Sequence, residues 1–163
     1  MYYTVLPGCQ TIKIHVMRKH LLRDTYKHLR HMSSENLLKK FKIVYAGEAG
    51  IDSGGLTKDY FLFVARSFCF NPNLCLFRPK KNCEGETYYD IDSRSSVNSK
   101  HLEYFHVFGK ILGKAVYDRN LIDVNFSNLF LKRLLLGTPS NTNSDRSTEQ
   151  VRNILPIATK FAY

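Results

Sequence analysis

The sequence has no run of about eighteen uncharged apolar residues, so none of it is expected to cross a membrane as a helix. Its first ten residues lack the basic start and apolar follow-through of a secretory signal. The four cysteines, at positions 9, 69, 75 and 83, form no Cys-x-x-Cys pair. Together these absences lead us to expect a reduced chain of the cytoplasm or nucleus. Cys69 and Cys75 lie in Phe-Cys-Phe and Leu-Cys-Leu settings and are expected to be buried and unreactive. Cys83 lies near Lys80 and Lys81, which favours a thiolate, but no histidine near it in sequence would activate it as a nucleophile.

Catalytic signatures are absent too. There is no Gly-x-Ser-x-Gly and no His-Glu-x-x-His. His28 and His31 stand one helical turn apart, yet no carboxylate or cysteine completes a ligand set at familiar spacing. His20, Arg23 and Arg30 make their surroundings basic, so a surface histidine pair is expected and no metal site or cofactor is assigned.

Acids are scarce. Asp and Glu number 14 against 24 Lys and Arg, for a formal charge of +10. Between residues 13 and 42 the imbalance is steep: Lys13, Arg18, Lys19, Lys39, Lys40 and Lys42 are among nine bases facing only Asp24 and Glu35. Such a face attracts polyanions or an acidic protein partner, although a plain solvated surface gives the same composition.

What is present suits one globular unit. The chain has 163 residues, with an apolar share of 44% and an aromatic share of 13%. Ile12, Ile14 and Val16 alternate with polar residues and predict a strand. Leu22, Tyr26 and Leu29 mark an amphipathic helix, and Ser33 or Ser34 caps a short one. Phe41 to Ala46 reads as a second strand. Leu56, Tyr60, Phe63, Val64 and Ser67 repeat at helical spacing up to Asn71-Pro72. Residues 74–78 and 87–92 predict two short strands around a polar loop. Residues 101–117 are apolar on nearly every side, as expected of a buried helix, with Gly109 and Gly113 leaving room for another backbone. A further helix begins at Asn125 or Ser127 and stops at Gly137. Residues 138–147 read as a flexible polar loop, and 148–163 as a tail able to form one short helix. The expected class is α+β, mainly helical with short strands.

The glycine-rich stretch 47–61, GEAGIDSGGLTKDYF, raises the question of a phosphate cradle. A P-loop requires a lysine and a hydroxyl residue after its last glycine, and here Leu56 follows Gly55. No Gly-x-Gly occurs in it, and Glu48 and Asp52 would repel phosphate. The glycines serve geometry instead: Asp52 or Ser53 is expected to cap the following helix, while Gly54 and Gly55 permit a tight turn into it.

The same stretch resembles a hallmark segment of HECT-type ubiquitin ligases, in which a Gly-Glu-x-Gly-x-Asp-x-Gly-Gly-Leu run leads a helix ending at Asn-Pro before a Leu-Phe strand. Gly47, Glu48, Gly50, Asp52, Gly54, Gly55 and Leu56 carry the match, followed by Asn71, Pro72, Leu76 and Phe77. A second block, HLEYFHVFGKILGKAVYDRNLIDVNF, is similar to the family's buried helix, and IKIHVMRKHLLRDTYKHL to its opening. Two departures are mild: Lys58-Asp59-Tyr60-Phe61 stands for the family's Arg-Glu-Trp-Phe, and Asp92-Ser93 for its Asn-Pro. The serious departure is length, since the resemblance includes neither the family's docking region for the conjugating enzyme nor its C-terminal lobe with the thioester cysteine.

The resemblance spans residues 11–137, with 1–10 as an extension, and corresponds to the first part of the family's N-terminal lobe. It implies a scaffold within a ligase that passes ubiquitin through a cysteine thioester to substrate lysines. The implied partners are ubiquitin, a ubiquitin-conjugating enzyme and protein substrates, with no membrane and no nucleic acid. No cysteine here stands in the family's His-Thr-Cys-Phe-like setting, so the isolated chain is expected to be inactive. The resemblance also implies a noncovalent ubiquitin contact near TYYDID, with Tyr88 and Tyr89 as candidates; alternation puts them on opposite faces. Two other readings are a noncatalytic ubiquitin-binding fragment and a small basic nucleic-acid-binding module. Against the latter, the aromatics sit at core spacing and form no exposed stacking platform.

Overall fold

A computed structural model describes residues 4–5, 11–48 and 54–136. Strand β2 (Thr11–Val16) buries Ile12, Ile14 and Val16 on one face, and β3 (Lys40–Tyr45) buries Phe41, Ile43 and Tyr45. The two strands run parallel in a register that sets Ile12 against Phe41, Ile14 against Ile43 and Val16 against Tyr45. One apolar face results. Parallel pairing needs a crossover, and α1 (Leu21–Leu29) and α2 (Ser34–Leu37) supply it. The Ser33 hydroxyl accepts the Asn36 N–H at 3.4 Å and caps α2. A short strand, β1 (Thr4–Val5), adds antiparallel to β2, giving the order β1-β2-β3.

Helices α1 and α3 (Gly55–Cys69) pack on the apolar side of this sheet. Inside the contact, the fully buried Tyr60 hydroxyl donates to Thr25 Oγ1 at 3.1 Å, so α1 and α3 share a satisfied polar pair. The stripe that α3 buries is Tyr60, Phe61, Val64, Ala65, Phe68 and Cys69. It is rotated from the one expected from the sequence: Phe63 is 44% exposed and Ser67 only half-buried. The neighbours of α3 lie on the Phe61–Phe68 side, where α4 (His101–Tyr117) crosses it.

Two short strands, β4 (Phe77–Lys81) and β5 (Thr87–Ile91), form an antiparallel hairpin. Its apolar end joins Phe108 of α4 and Phe126 in an aromatic cluster around Phe77, with ring centroids 5.2 and 5.7 Å away. Helix α5 (Asn128–Leu136) adds Phe130 to that cluster. The Ser127 hydroxyl accepts the Phe130 N–H at 3.1 Å, which caps α5. The fold is α+β and mainly helical.

Helix α4 holds a feature that composition alone does not reveal. Lys110 and Lys114, one turn apart on the buried helix, are themselves buried. The Lys110 ammonium donates to the carbonyls of Leu29 and Met32 at 2.9 Å and of Arg30 at 3.2 Å. It thereby closes the C-terminal end of α1, whose last carbonyls have no partner within the helix. Lys114 donates at 2.8 Å to both the Lys39 carbonyl and Asp118 Oδ1, and lies 4.7 Å over the Phe41 ring. Burial pushes both ammonium groups below the ordinary lysine range.

Candidate functional site

The hairpin loop is built by one side chain. Asn82 Oδ1 accepts the N–H groups of Glu84 and Glu86 at 3.0 and 2.8 Å, and Gly85 takes a left-handed φ of +83°. This turn fixes the register in which Lys80 faces Tyr88 and Pro79 faces Tyr89. Lys80 Nζ then donates to Asp90 Oδ2 at 2.8 Å. Partial burial works to raise the Asp90 carboxyl, but Lys80, the Ile91 N–H and the Ser127 hydroxyl together hold it below the ordinary range.

Alternation along β5 separates the two tyrosines. The ring of Tyr89 stacks on Phe70 with centroids 4.7 Å apart and packs against the core. Its backbone is tied down as well: the Tyr89 N–H donates to the Asn125 carbonyl at 2.7 Å, and its carbonyl accepts the Ser127 N–H at 3.0 Å. Residues 125–127 therefore lie beside β5 like a further strand before α5 begins. Tyr88 lines a cleft of about 880 Å³ between the hairpin and α5, with Val124, Leu129 and Leu131 among its walls. Leu129 and Leu131 are 55% and 38% exposed, so the cleft offers apolar surface beside polar groups of the hairpin.

The turn into α3 is partly described. Gly54 stands at the N-cap with φ +106°, a conformation open to glycine at little cost, and Gly55 is the first helical residue. Asp52 and Ser53 lie outside the described residues. Before the loop, Gly47 takes φ +86° in the turn closed by the Glu48 N–H on the Tyr45 carbonyl. From the sequence Glu48 is a residue of the family motif and a charge that repels phosphate, with no partner indicated. The structure gives it a partner: Arg18 donates to its two oxygens from Nε at 2.6 Å and from a terminal nitrogen at 3.1 Å. That hydrogen bonding holds the Glu48 carboxyl below its ordinary range.

Three cysteines can be placed. Cys69 is buried, and desolvation drives its thiol far up. Cys75 is half-exposed, contrary to expectation, because it sits at a tight bend with φ +51° that turns the chain out of α3 into β4. Its Sγ lies 3.1 Å from the Pro72 carbonyl. Cys83 is exposed in the hairpin loop.

The histidine pair is not a surface pair. His28 is buried with its Nε2 donating to the His15 carbonyl at 2.6 Å, whereas exposed His31 accepts from Arg30 Nε at 2.7 Å. Among the described residues no group of three His, Cys, Asp or Glu could hold a metal ion, and no helix is long and apolar enough to cross a membrane.

Comparison with known proteins identifies the family of the sequence. The family model of the HECT domain (ubiquitin-transferase) matches residues 62–157, more than half of the chain. The E3 ubiquitin-protein ligase HUWE1 of Mus musculus is 36% identical over 126 residues, covering 77% of this chain and 3% of that protein. The E3 ubiquitin-protein ligase pub1 of Schizosaccharomyces pombe is 35% identical over 130 residues, covering 80% of this chain and 16% of its own length. RSP5 of Saccharomyces cerevisiae, another E3 ubiquitin-protein ligase, is 32% identical over 131 residues with the same two shares. The chain thus spans a small part of these relatives. It belongs to the HECT-domain ubiquitin-transferase family.

Proposed function

We propose that this chain is the first part of a HECT N-terminal lobe and acts as scaffold in a ubiquitin-protein ligase. In the whole protein, ubiquitin would pass from a conjugating enzyme to a ligase cysteine as a thioester, and from there to a substrate lysine. The observation that carries the reading is the joint packing of the two most family-like segments. Helix α3 and helix α4 meet through Phe68 and Phe108, rings 5.6 Å apart and both buried, and Phe77 of the following strand lies 5.2 Å from the Phe108 ring.

This part contributes no thioester cysteine. A buried thiol pushed far up, as in Cys69, forms little thiolate, and Cys75 points its sulfur at a carbonyl oxygen. Incubation with activating enzyme, conjugating enzyme, ATP and ubiquitin is expected to leave the chain without a reducible adduct. A clear adduct mapped to one of its cysteines would overturn the assignment.

The Tyr88 cleft is the surface proposed to meet ubiquitin noncovalently. It combines exposed leucines with a tyrosine, a mixed apolar and polar lining suited to a protein partner. Titrating labelled chain with ubiquitin and following amide shifts at Tyr88 tests it; shifts confined to other regions would refute it.

A further inference from the structure

The steep excess of bases between residues 13 and 42 has no part in the ligase reading, and the fold sorts those bases into separate places. Three of them, Lys39, Lys40 and Lys42, gather at the start of β3. There they line a cleft of about 1090 Å³, together with Lys58 of α3. The acid that shares the cleft, Asp118, already accepts from Lys114 at 2.8 Å. Lys39 donates to Asn36 Oδ1, an uncharged group, at 2.8 Å. Lys40, Lys42 and Lys58 have no ion-pair partner among the described residues.

Two further features add to this. Helix α3 starts at the cleft with no acidic residue in its first turn, so the positive end of its dipole points the same way as the lysines. Between the charges lie apolar side chains: Leu38 is 47% exposed and Tyr117 is 49% exposed. A ligand made only of phosphates would have no use for that apolar surface. A strand of carboxylates carrying an apolar side chain would use both, the carboxylates meeting the lysines and the apolar group covering Leu38 and Tyr117.

We infer that the cleft between the start of β3, the first turn of α3 and the end of α4 is a docking site for an acidic protein segment with apolar side chains. This goes beyond the ligase reading and does not depend on it, since the cleft lies apart from Tyr88 and shares no lining residue with its cleft.

The test uses the full chain and a short fluorescent peptide alternating glutamate and leucine, read by anisotropy. Binding is expected at low salt and is expected to weaken when salt is raised. Charge reversal at two exposed positions of the cleft, Lys40→Glu with Lys58→Glu, is expected to cut affinity about tenfold or more, a loss of about 1.4 kcal/mol per decade. The same charge change elsewhere, Lys19→Glu with Lys81→Glu, is expected to change it less than about twofold at about 0.15 M salt, because neither lysine lines the cleft. If charge reversal unfolds the chain, the neutralising pair Lys40→Gln and Lys58→Gln gives the same comparison. Equal losses in both variants would show general charge attraction and overturn the site. So would the absence of peptide binding to the unmodified chain. A single-stranded oligonucleotide of equal charge that binds more tightly and depends on Lys40 and Lys58 would overturn the peptide assignment.

Discussion

Lys110 reaches from the middle of α4 to the end of α1, where its ammonium donates to the Leu29 carbonyl at 2.9 Å. Two neighbouring carbonyls, those of Arg30 and Met32, share the same donor. One charge thus ends a helix that is otherwise closed by a turn without a glycine. Two effects oppose each other here: desolvating the ammonium costs stability, and three charge-assisted hydrogen bonds to a helix C-terminus return it. Removing the donor takes a charged partner from the Arg30 and Met32 carbonyls and leaves Leu29 with the Met32 N–H alone. Lys110→Met keeps the stem length and is expected to destabilise the chain by about 2–4 kcal/mol. Urea unfolding should show a lower midpoint at unchanged slope.

A pH effect follows from His28. Its ring is buried, and burial lowers its pKa below the ordinary 6.5 despite the His15 carbonyl and the nearby Asp24, which pull it up. His106 is lowered as well, by burial and by the Lys110 charge. A depressed histidine is neutral in the fold, so the unfolded chain takes up protons first as pH falls. The contribution is complete above the unfolded pKa and is lost as pH drops from about 6.5 toward the folded values. Stability measured in urea at about pH 7.5, 6.5 and 5.5 should fall across the series. His28→Gln should flatten that fall, and an unchanged slope would show that His28 does not cause it.

Much of the fold is readable in the sequence, because periodicity reports burial directly. The alternation Ile12, Ile14, Val16 marks β2, and Ser33 and Ser127 cap the helices that follow them. The hairpin strand β4 begins three residues later than the apolar run 74–78 suggests, since the bend at Cys75 occupies its start. Elsewhere burial depends on partners distant in sequence, and periodicity then misleads. Phe63 fits a helical stripe, yet it stays 44% exposed, with the Arg18 guanidinium 6.0 Å over its ring in place of apolar packing. Lys110 and Lys114 look like solvated charges until the end of α1 and the Lys39 carbonyl are brought against them. The pairing of Arg18 with Glu48 across thirty positions leaves no local signal. The Tyr88 side of the candidate site follows from alternation, whereas its cleft depends on where residues 124–131 return.

Gly54 and Gly55 are adjacent but make different demands. A Cβ at either meets nothing within 4 Å, so space does not distinguish them. Conformation does, since Gly54 alone has a left-handed φ, at +106°. Gly54→Ala is expected to cost about 1–2 kcal/mol from backbone strain. Gly55→Ala, at a helical position, is expected to be neutral or to stabilise by up to about 1 kcal/mol. Thermal melts of the two variants should therefore move apart. Equal losses would mean that the turn into α3 does not depend on the left-handed residue.

Tyr88 and Tyr89 offer the sharpest separation of fold from proposed function. Tyr89 stacks its ring on Phe70 and packs against the core, so Tyr89→Ala removes packing that the fold uses while its backbone bonds to residues 125–127 persist. It is expected to cost about 2–4 kcal/mol, with ubiquitin binding lost only as far as the chain unfolds. Tyr88 faces the cleft with α5, and Tyr88→Ala is expected to cost less than about 1 kcal/mol of stability. Its effect should fall on binding: ubiquitin-induced amide shifts around residues 124–131 should weaken about fivefold or more at the same ubiquitin concentration. If Tyr88→Ala unfolds the chain as readily as Tyr89→Ala, Tyr88 is a packing residue. If it leaves both stability and the ubiquitin shifts intact, the contact surface lies elsewhere on the lobe.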